Sequence, residues 1–333
     1  MGDIDFTGQV VVVTGAGRGL GETYAHEFAR RGAHVVVNDW AGVHGPANPG
    51  EGIRADVVTS AIRAAGGYAV ASYDDVGRPE GGAAVIETAL AEWGTVDVVV
   101  SNAGLLRNAL FGDMTRGEVD SMLYTHLHAA FNVLQPAWRV MTKKRYGRIV
   151  MVSSSSGMFS HQGSASYAAA KAGLFGLGRA LAYESSLLYD GEPVDIKVNS
   201  ILPMAKTLMT TEQPIPEHSD QFALRTPAGS GDLMAVRGRP EVAAPLVTLL
   251  ASRDCPVNGE SISSCMGRYG RVFVGIGDGW TAPEEGTTAE TLLEHVEEVR
   301  DLSSHTVPAS LYGEIAIVAR TLLGEEPEPA DQA

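Results

Sequence analysis

Tyr167 and Lys171 lie four residues apart in "SASYAAAKAG", residues 164 to 173. If this run is helical, both side chains lie on one face, one turn apart. A lysine ammonium near a tyrosine favours the phenolate and lowers the phenol pKa from its usual value of about 10. Such a group can remove the hydroxyl proton of a secondary alcohol while the hydride leaves the carbinol carbon. The ordinary alternative is a packed ring and a solvated amine, so the pair needs support from elsewhere in the chain.

A glycine-rich turn supplies part of that support. "VVVVTGAGRGLG" places Gly15, Gly19 and Gly21 between a predicted strand and a predicted helix. Glycines there let the backbone approach a pyrophosphate, which the positive helix end stabilises. Asp39 ends the second predicted strand, where a carboxylate accepts the ribose hydroxyls of NAD and repels the 2′-phosphate of NADP. The pattern predicts NAD as the cofactor and makes NADP the lesser alternative, although Arg18 could pair with that phosphate.

Short β-branched runs alternate with longer Ala-rich segments that have a helical period. The predicted strands are residues 9–14, 33–39, 67–74, 96–102, 147–154 and 194–201. This rhythm predicts an α/β fold with a doubly wound parallel sheet, the Rossmann fold, of about seven strands with helices on both faces. Ligands of such sheets bind beyond the carboxyl ends of the strands, so the end of the predicted fifth strand, residues 147–154, suits a ligand site.

Three stretches depart from this rhythm. Residues 40–52 are rich in Gly and Pro, which predicts a loop. Residues 207–233 form a long polar segment of the kind often found in lids. Residues 287–301 place Leu292, Val296 and Val299 on one helical stripe, which predicts packing against the body or another subunit. We therefore predict a dinucleotide-binding catalytic domain over residues 1–280 and a helical C-terminal extension over 281–333, with its last ten or so residues disordered.

The composition narrows the classes of partner. The 333 residues are 44% hydrophobic and carry a formal charge of −15, which disfavours nucleic acid and anionic membrane surfaces as partners. Two cysteines form no metal-ligand cluster, so we predict no metal and a reducing compartment. The acidic N-terminus resembles no signal peptide and no apolar run approaches the length of a membrane span, so we predict a cytoplasmic location.

Several ordered motifs make the chemistry specific. "TGAGRGLG", "SNAG" (101 to 104) and "YAAAK" resemble the TGxxxGxG, NNAG and YxxxK motifs of the short-chain dehydrogenase/reductase family, over roughly residues 6 to 280. Ser154 lies thirteen residues before Tyr167, where the family has its serine. The resemblance implies that Ser154 binds the substrate oxygen, Tyr167 transfers the proton and Lys171 supports it. His126 stands where the family usually has an Asn that holds a helix kink and a water; packing in a helix interface is its other interpretation. Asn132, six residues later, lies off this alignment.

The family also implies the cofactor contacts. They are Gly15, Arg18, Gly19, Leu20, Gly21, Asp39, Asp75, Val76, Asn102, Ala103, Gly104, Tyr167, Lys171, Pro203 and Thr207. Met204 stands where glycine is commoner in the family. Residues 258–280 replace a compact final strand, which predicts a longer final hairpin.

One branch of the family resembles this chain more closely. "SNAGLLRNALF" and "HAAFNVLQPAWRVMTKKRYGRIVMVSSSSG" are similar to the dehydrogenase part of peroxisomal multifunctional β-oxidation proteins. That resemblance implies NAD-dependent interconversion of a 3-hydroxyacyl-CoA, including branched or steroid-derived ones, and its 3-oxoacyl-CoA. Arg107, Lys206 and Arg268 are candidate contacts for a CoA thioester. A dehydrogenase of free steroid or alicyclic alcohols and a non-catalytic NAD-binding protein are the alternatives. The family also implies a homo-oligomer, a dimer or a tetramer.

Overall fold

The computed structural model describes residues 3–40, 54–187, 191–205, 227 and 229–323. The strands, in chain order, are β1 Val10–Thr14, β2 His34–Asn38, β3 Tyr68–Ser72, β4 Val98–Ser101, β5 Tyr146–Val152, β6 Asp195–Met204, β7 Ser261–Cys265, β8 Arg268–Val272, β9 Ile276–Gly277 and β10 His305–Thr306. Strands β1 to β8 form one sheet in the order β3-β2-β1-β4-β5-β6-β7-β8, and β9 pairs with β10.

Twelve α-helices lie in the described ranges. They are α1 Gly19–Arg30, α2 Arg54–Ala64, α3 Pro79–Trp93, α4 Arg116–Met122, α5 Ala129–Lys144, α6 Ser155–Phe159, α7 Ala165–Ser185, α8 Ser230–Arg237, α9 Ala244–Ala251, α10 Ala289–Glu294, α11 Val296–Arg300 and α12 Leu311–Leu323. A π-helical segment, Leu123–His128, joins α4 to α5, so residues 116–144 form one long helix with a wide turn inside it.

The sheet is parallel from β3 through β7 and buried on both faces. Alternate valines of one strand therefore enter two separate cores. Val11 and Val13 pack with Tyr24 and Phe28 of α1, together with residues of α2 and α9. Val12, on the opposite face, lies in the core that α3, α5 and α7 contribute. Two helical layers around one parallel sheet confirm the predicted doubly wound fold.

The predicted longer final hairpin adds a strand to the predicted seven. β7 and β8 are joined by Met266 and Gly267, whose φ angles of 52° and 85° are those of a tight hairpin turn that matches strand twist. Because the turn returns the chain directly beside β7, the sheet ends with an eighth strand, β8.

The chain divides into two compact units, Met1–Arg271 and Val272–Ala333. The predicted boundary of function-bearing domains at residue 280 stays a prediction. In the second unit, the prediction of a single helix over 287–301 was wrong, because the helix is interrupted at His295. The His295 ring stacks on Trp280 with ring centroids 4.2 Å apart, and it forms a hydrogen bond with Glu298. The side chains of Leu292 and Val299 remain 44–45% exposed.

Some predictions fall outside the described residues. They concern most of the polar segment 207–233, with Lys206 and Thr207, and the terminal residues 324–333. Cys255 is buried and Cys265 half-buried, and both are free thiols. No helix in the described ranges combines the length and apolar character needed to cross a membrane.

Candidate active site

The glycine turn lies where the strand order changes direction, since β1 sits between β2 and β4. Such a switch point is the usual ligand crevice of an open α/β sheet. Gly15 and Gly19 have φ angles of 63° and 61°, a left-handed conformation that favours glycine. A Cβ on Gly21 would lie 2.2 Å from the Gly15 carbonyl oxygen, so any side chain there would fill the turn. The bare backbone and the N-terminus of α1 therefore fit the pyrophosphate of a dinucleotide.

Asp39 closes this turn from the end of β2. Its Oδ2 accepts a hydrogen bond from the Gly17 backbone N–H at 2.9 Å. A Cβ on Gly17 would lie 2.7 Å from Asp39 Cγ, so glycine is needed for this approach. Gly17 was not among the predicted cofactor contacts; the signal for it was the second glycine of "TGAG", close in sequence to Gly15 and Gly19. The carboxylate is thereby placed beside the turn, where the ribose of a dinucleotide is expected.

Hydrogen bonds join the glycine turn to the "SNAG" turn after β4. The Thr14 hydroxyl accepts hydrogen bonds from the backbone N–H groups of Asn102 and Ala103, both at 3.0 Å. The Asn102 amide donates to the carbonyls of Thr14 and Gly15 at 2.9 and 3.1 Å. The predicted cofactor residues of β1 and β4 are thus brought together, and Thr14 is a supporting residue that the sequence analysis did not identify.

The turn after β3 carries Asp75 and Val76. Asp75 Oδ1 accepts the Gly77 N–H at 3.0 Å, and its carboxylate lies 3.5 Å from the Arg78 guanidinium. Val76 is buried. This compact turn lies at the same carboxyl edge of the sheet as the glycine turn, because β3 pairs with β2 in parallel register.

Ser154 and Tyr167 meet at the end of β5. Ser154 caps α6, its hydroxyl accepting the Ser156 N–H at 3.1 Å, and Tyr167 lies in the first turn of α7. Burial raises the pKa of the Tyr167 phenol, and its hydrogen bond with Ser154 opposes that rise. In the chain alone this reverses our expectation of a lowered phenol pKa, because desolvation of the phenolate outweighs the help it receives.

Lys171 lies one turn after Tyr167 and is almost fully buried. Its ammonium donates to the Val152 carbonyl at 2.6 Å and lies 5.7 Å from the centroid of the Tyr167 ring. Burial lowers the pKa of Lys171 to about 7. Ser153 fixes this part of the helix by donating its hydroxyl to the Lys171 carbonyl at 2.8 Å. A lysine with this pKa can exchange a proton near neutral pH.

His126 lies in the π-helical segment, against the edge of Tyr167. The ring centroids are 5.1 Å apart and the planes nearly perpendicular. Its Nε2 lies 2.7 Å from the Leu105 carbonyl oxygen, which can only accept, so Nε2 carries the proton. Burial, followed by the charge of Lys171, holds the pKa of His126 well below its usual value. His126 is therefore a neutral donor, and its buried Nδ1 has no hydrogen-bond partner among the described residues.

This arrangement agrees with the packing interpretation of His126, whereas the family role of holding a kink and a water stays a prediction. The ring packs in a helix interface, and it also ties the wide helical turn to the chain that follows "SNAG". A Cβ on Gly104 would lie 2.5 Å from His126 Cε1, so the small residue of that motif makes room for the ring. His126 thus supports the site by anchoring Leu105 and flanking Tyr167.

Other predicted residues lie at the margin. Pro203 is half-buried near the end of β6, and the next residue, Met204, is 38% exposed with its sulfur 3.6 Å from that of Cys265. Arg107 and Arg268 are exposed, and no contact links either to Ser154 or Tyr167 in the described part of the chain. Arg18 precedes α1 and Leu20 lies in its first turn, as predicted for residues beside the glycine turn.

Comparisons with known proteins agree with this geometry. Residues 9–217 match the sequence profile of the family described as short chain dehydrogenase. The peroxisomal hydratase-dehydrogenase-epimerase of Saccharomyces cerevisiae is 36% identical over 96% of this chain and 34% of its own length. A short-chain type dehydrogenase/reductase of Mycobacterium tuberculosis is 37% identical over 89% of this chain and 95% of its own length. The chain thus spans about a third of the yeast relative and nearly all of the mycobacterial one.

Solved structures of related proteins resemble this chain as well. The full-length peroxisomal multifunctional enzyme type 2 of Drosophila melanogaster superposes with a TM-score of 0.73 at 31% identity, over 96% of this chain and 50% of that one. A short chain dehydrogenase of Mycobacterium avium superposes with a TM-score of 0.70 at 29% identity, over 90% of this chain and 98% of that one. The chain belongs to the short chain dehydrogenase family.

Proposed function

We propose that this chain, an NAD(P)-dependent oxidoreductase acting on a CH–OH group, interconverts a 3-hydroxyacyl-CoA and its 3-oxoacyl-CoA and uses NAD. The observation that carries the catalytic part is the cluster of Ser154, Tyr167 and the buried Lys171 at the same carboxyl edge of the sheet as the glycine turn. The substrate class is supported by relatives whose names include hydratase-dehydrogenase-epimerase and peroxisomal multifunctional enzyme.

The chemistry assigns each side chain a separate task. Bound NAD supplies the acceptor for the carbinol hydride. The Ser154 hydroxyl orients the substrate oxygen toward Tyr167, whose phenolate oxygen takes the hydroxyl proton of the substrate. Lys171, with a pKa near 7 and its ammonium directed at the Val152 carbonyl, lies close enough to stabilise the phenolate when protonated. The neutral His126 holds the neighbouring backbone and need not carry the proton itself.

The preference for NAD rests on Asp39. Its carboxylate lies against Gly17, so a 2′-phosphate on the adenosine ribose would meet a negative charge at close range. Ribose hydroxyls can instead donate to that carboxylate. NAD is therefore the favoured cofactor of this proposal.

The test is a substrate panel followed through NADH formation. We expect turnover with straight, branched and steroid-derived 3-hydroxyacyl-CoA thioesters, and much less with the matching free acids or free steroid and alicyclic alcohols. Tyr167→Phe should reduce turnover about a thousandfold or more because it removes the proton acceptor, while NAD binding persists. The control is Tyr183→Phe, which alters an exposed ring on the same helix. Turnover of Tyr167→Phe at the control's rate would refute the mechanism.

Arg107 allows the thioester proposal to be separated from its alternative. It lies on the loop between Leu105, which bonds His126, and Ala109, whose N–H donates to the Gly163 carbonyl at 3.0 Å. We expect Arg107→Ala to raise KM for CoA thioesters about tenfold by removing a cation that attracts CoA phosphates. Arg116→Ala, at an exposed arginine, is the control. If free steroid or alicyclic alcohols prove the better substrates, the second candidate function replaces the first; absence of turnover with NAD binding retained would support a non-catalytic NAD-binding protein.

Two further expectations belong to the proposal. A homo-oligomer, dimer or tetramer, is expected from the family resemblance. The cytoplasmic location expected from the N-terminus stays a prediction, since several relatives carry "peroxisomal" in their names.

A further inference from the structure

The turn after β3 is held from a distant part of the chain, the long helix that contains the π-helical segment. Asn132 lies in the first turn of α5, and its side-chain amide donates to the carbonyls of Val76 at 3.1 Å and Gly77 at 2.8 Å. One amide group therefore bridges two consecutive peptide oxygens of this turn. Both hydrogen bonds are partly buried, so they tie the backbone of this turn to α5.

Tyr124 holds the same turn from the π-helical segment. A Cβ on Gly77 would lie 2.3 Å from Cε1 of the Tyr124 ring, so the ring lies directly against the bare glycine. Tyr124 and Asn132 thus contact the turn at its backbone, one through packing and the other through hydrogen bonds. The turn's own contact, from the Gly77 N–H to Asp75 Oδ1, closes it locally but does not tie it to the helix.

The π-helical segment connects these contacts with the Asp75–Gly77 turn to the part of the site that contains Tyr167. Within six residues it places Tyr124 against Gly77 and His126 against Tyr167. A wide turn of this kind rotates successive side chains differently from a regular helix, and such turns are frequent at functional sites. A single helix therefore sets the position of two groups at different ends of the predicted dinucleotide site.

We propose that Asn132 and Tyr124 are positioning residues for the adenine end of the cofactor, acting through the Asp75–Gly77 turn. The inference rests on the proposed function and on the family resemblance, which implies that Asp75 and Val76 contact the adenine of the dinucleotide. Neither residue touches the reacting atoms, so both should affect cofactor affinity and leave the chemical step alone.

The experiment compares three variants of the full chain with the unmodified protein. Asn132→Leu removes the amide, Asn132→Asp keeps its shape while turning an acceptor toward two carbonyls, and Tyr124→Leu removes the ring. Calorimetry measures Kd for ADP-ribose, which is NAD without its nicotinamide, and steady-state kinetics measures KM for NAD and kcat. We expect Kd for ADP-ribose and KM for NAD to rise about tenfold in both Asn132 variants, with kcat changed less than about twofold.

Gln135→Leu, at an exposed position of α5, controls for changes to the helix surface. An unchanged Kd for ADP-ribose in a folded Asn132 variant would overturn the proposal, and so would a fall in kcat with Kd preserved. If one Asn132 substitution prevents folding, the other and Tyr124→Leu carry the test, with thermal melting to establish that they fold. Failure of the unmodified protein to bind ADP-ribose or NAD would instead refute the cofactor assignment, which keeps the two failures distinct.

Discussion

Replacement of His126 tests whether an anchoring role explains its place in the site. His126→Leu places an apolar side chain at this position and removes the Nε2–H that bonds the Leu105 carbonyl at 2.7 Å. His126→Asn restores the residue usual in the family, with an amide that can both donate to and accept from Leu105. The two substitutions therefore differ in the hydrogen bond and share the loss of the imidazole.

The expected cost of His126→Leu follows from two contacts. An unpaired, partly buried carbonyl costs about 1–3 kcal/mol. The edge-to-face contact with Tyr167, at 5.1 Å between centroids, contributes about 0.5–1.5 kcal/mol, of which leucine recovers a part through packing. We therefore expect a loss of about 2 kcal/mol in the free energy of unfolding, and a fall in kcat of about tenfold as Tyr167 loses a fixed neighbour. His126→Asn should retain both properties more closely.

The anchoring role of His126 is tested by urea unfolding and by kcat measured across pH. His128→Leu is the matched control, because it changes an exposed histidine in the same π-helical segment. Since burial holds the pKa of His126 well below its usual value, its titration should be missing from the pH profile, and His126→Asn should leave that profile in place. A His126→Leu variant as stable and active as the control would refute the anchoring role. A profile displaced by His126→Asn would show that His126 exchanges protons during turnover.

Two further predictions concern the cofactor and the buried lysine. Asp39→Ser should lower the ratio of kcat/KM for NAD over NADP about tenfold or more by removing the charge that repels the 2′-phosphate, with Asp113→Ser, at an exposed position, as the control. An unchanged ratio would contradict that assignment. Burial lowers the pKa of Lys171 from its usual 10.5 to about 7 in the folded chain, so the unfolded chain binds more protons between these values and the free energy of unfolding should rise with pH across that window. Lys171→Met should reduce this slope, as measured by urea unfolding at several pH values, whereas Lys143→Met, at an exposed lysine, should not; equal slopes in the two variants would count against a depressed pKa.

The parts of the fold that sequence predicts well depend on local patterns. Runs such as "VVVVT" are apolar at every position, which suits a strand buried on both faces, and the structure places that run in the centre of the sheet. The glycines of "TGAGRGLG" likewise report a backbone requirement, since two of them adopt left-handed φ angles. In both cases the physical cause lies within a few residues of the signal, so a single sequence is enough to reveal it.

The parts that were missed depend on distant residues. The residues of "SMLYTHLHAAFNV" do not by themselves distinguish a π-helical turn from a regular one. The family resemblance implied a kink at His126, but the contacts of His126 with Tyr167 and of Tyr124 with Gly77 come from distant parts of the chain. Asn132 falls into the same class: its partners are two backbone carbonyls more than fifty residues away. Motif alignment places His126 at the position of the family's Asn and gives no role to Asn132. The hydrogen bonds of Asn132 to the Asp75–Gly77 turn can be seen only in the structure.

For Tyr167, sequence spacing and burial predict pKa shifts in opposite directions. Four-residue spacing correctly places Lys171 one turn from the phenol, and on spacing alone a nearby ammonium favours the phenolate. Burial acts on both groups at once: it raises the pKa of Tyr167 and lowers that of Lys171 to about 7, so the lysine carries its charge only part of the time near neutral pH. In the proposed mechanism, the positive nicotinamide of bound NAD would add to the charge of Lys171 in favouring the phenolate. Proton removal by Tyr167 would then be coupled to the presence of the hydride acceptor.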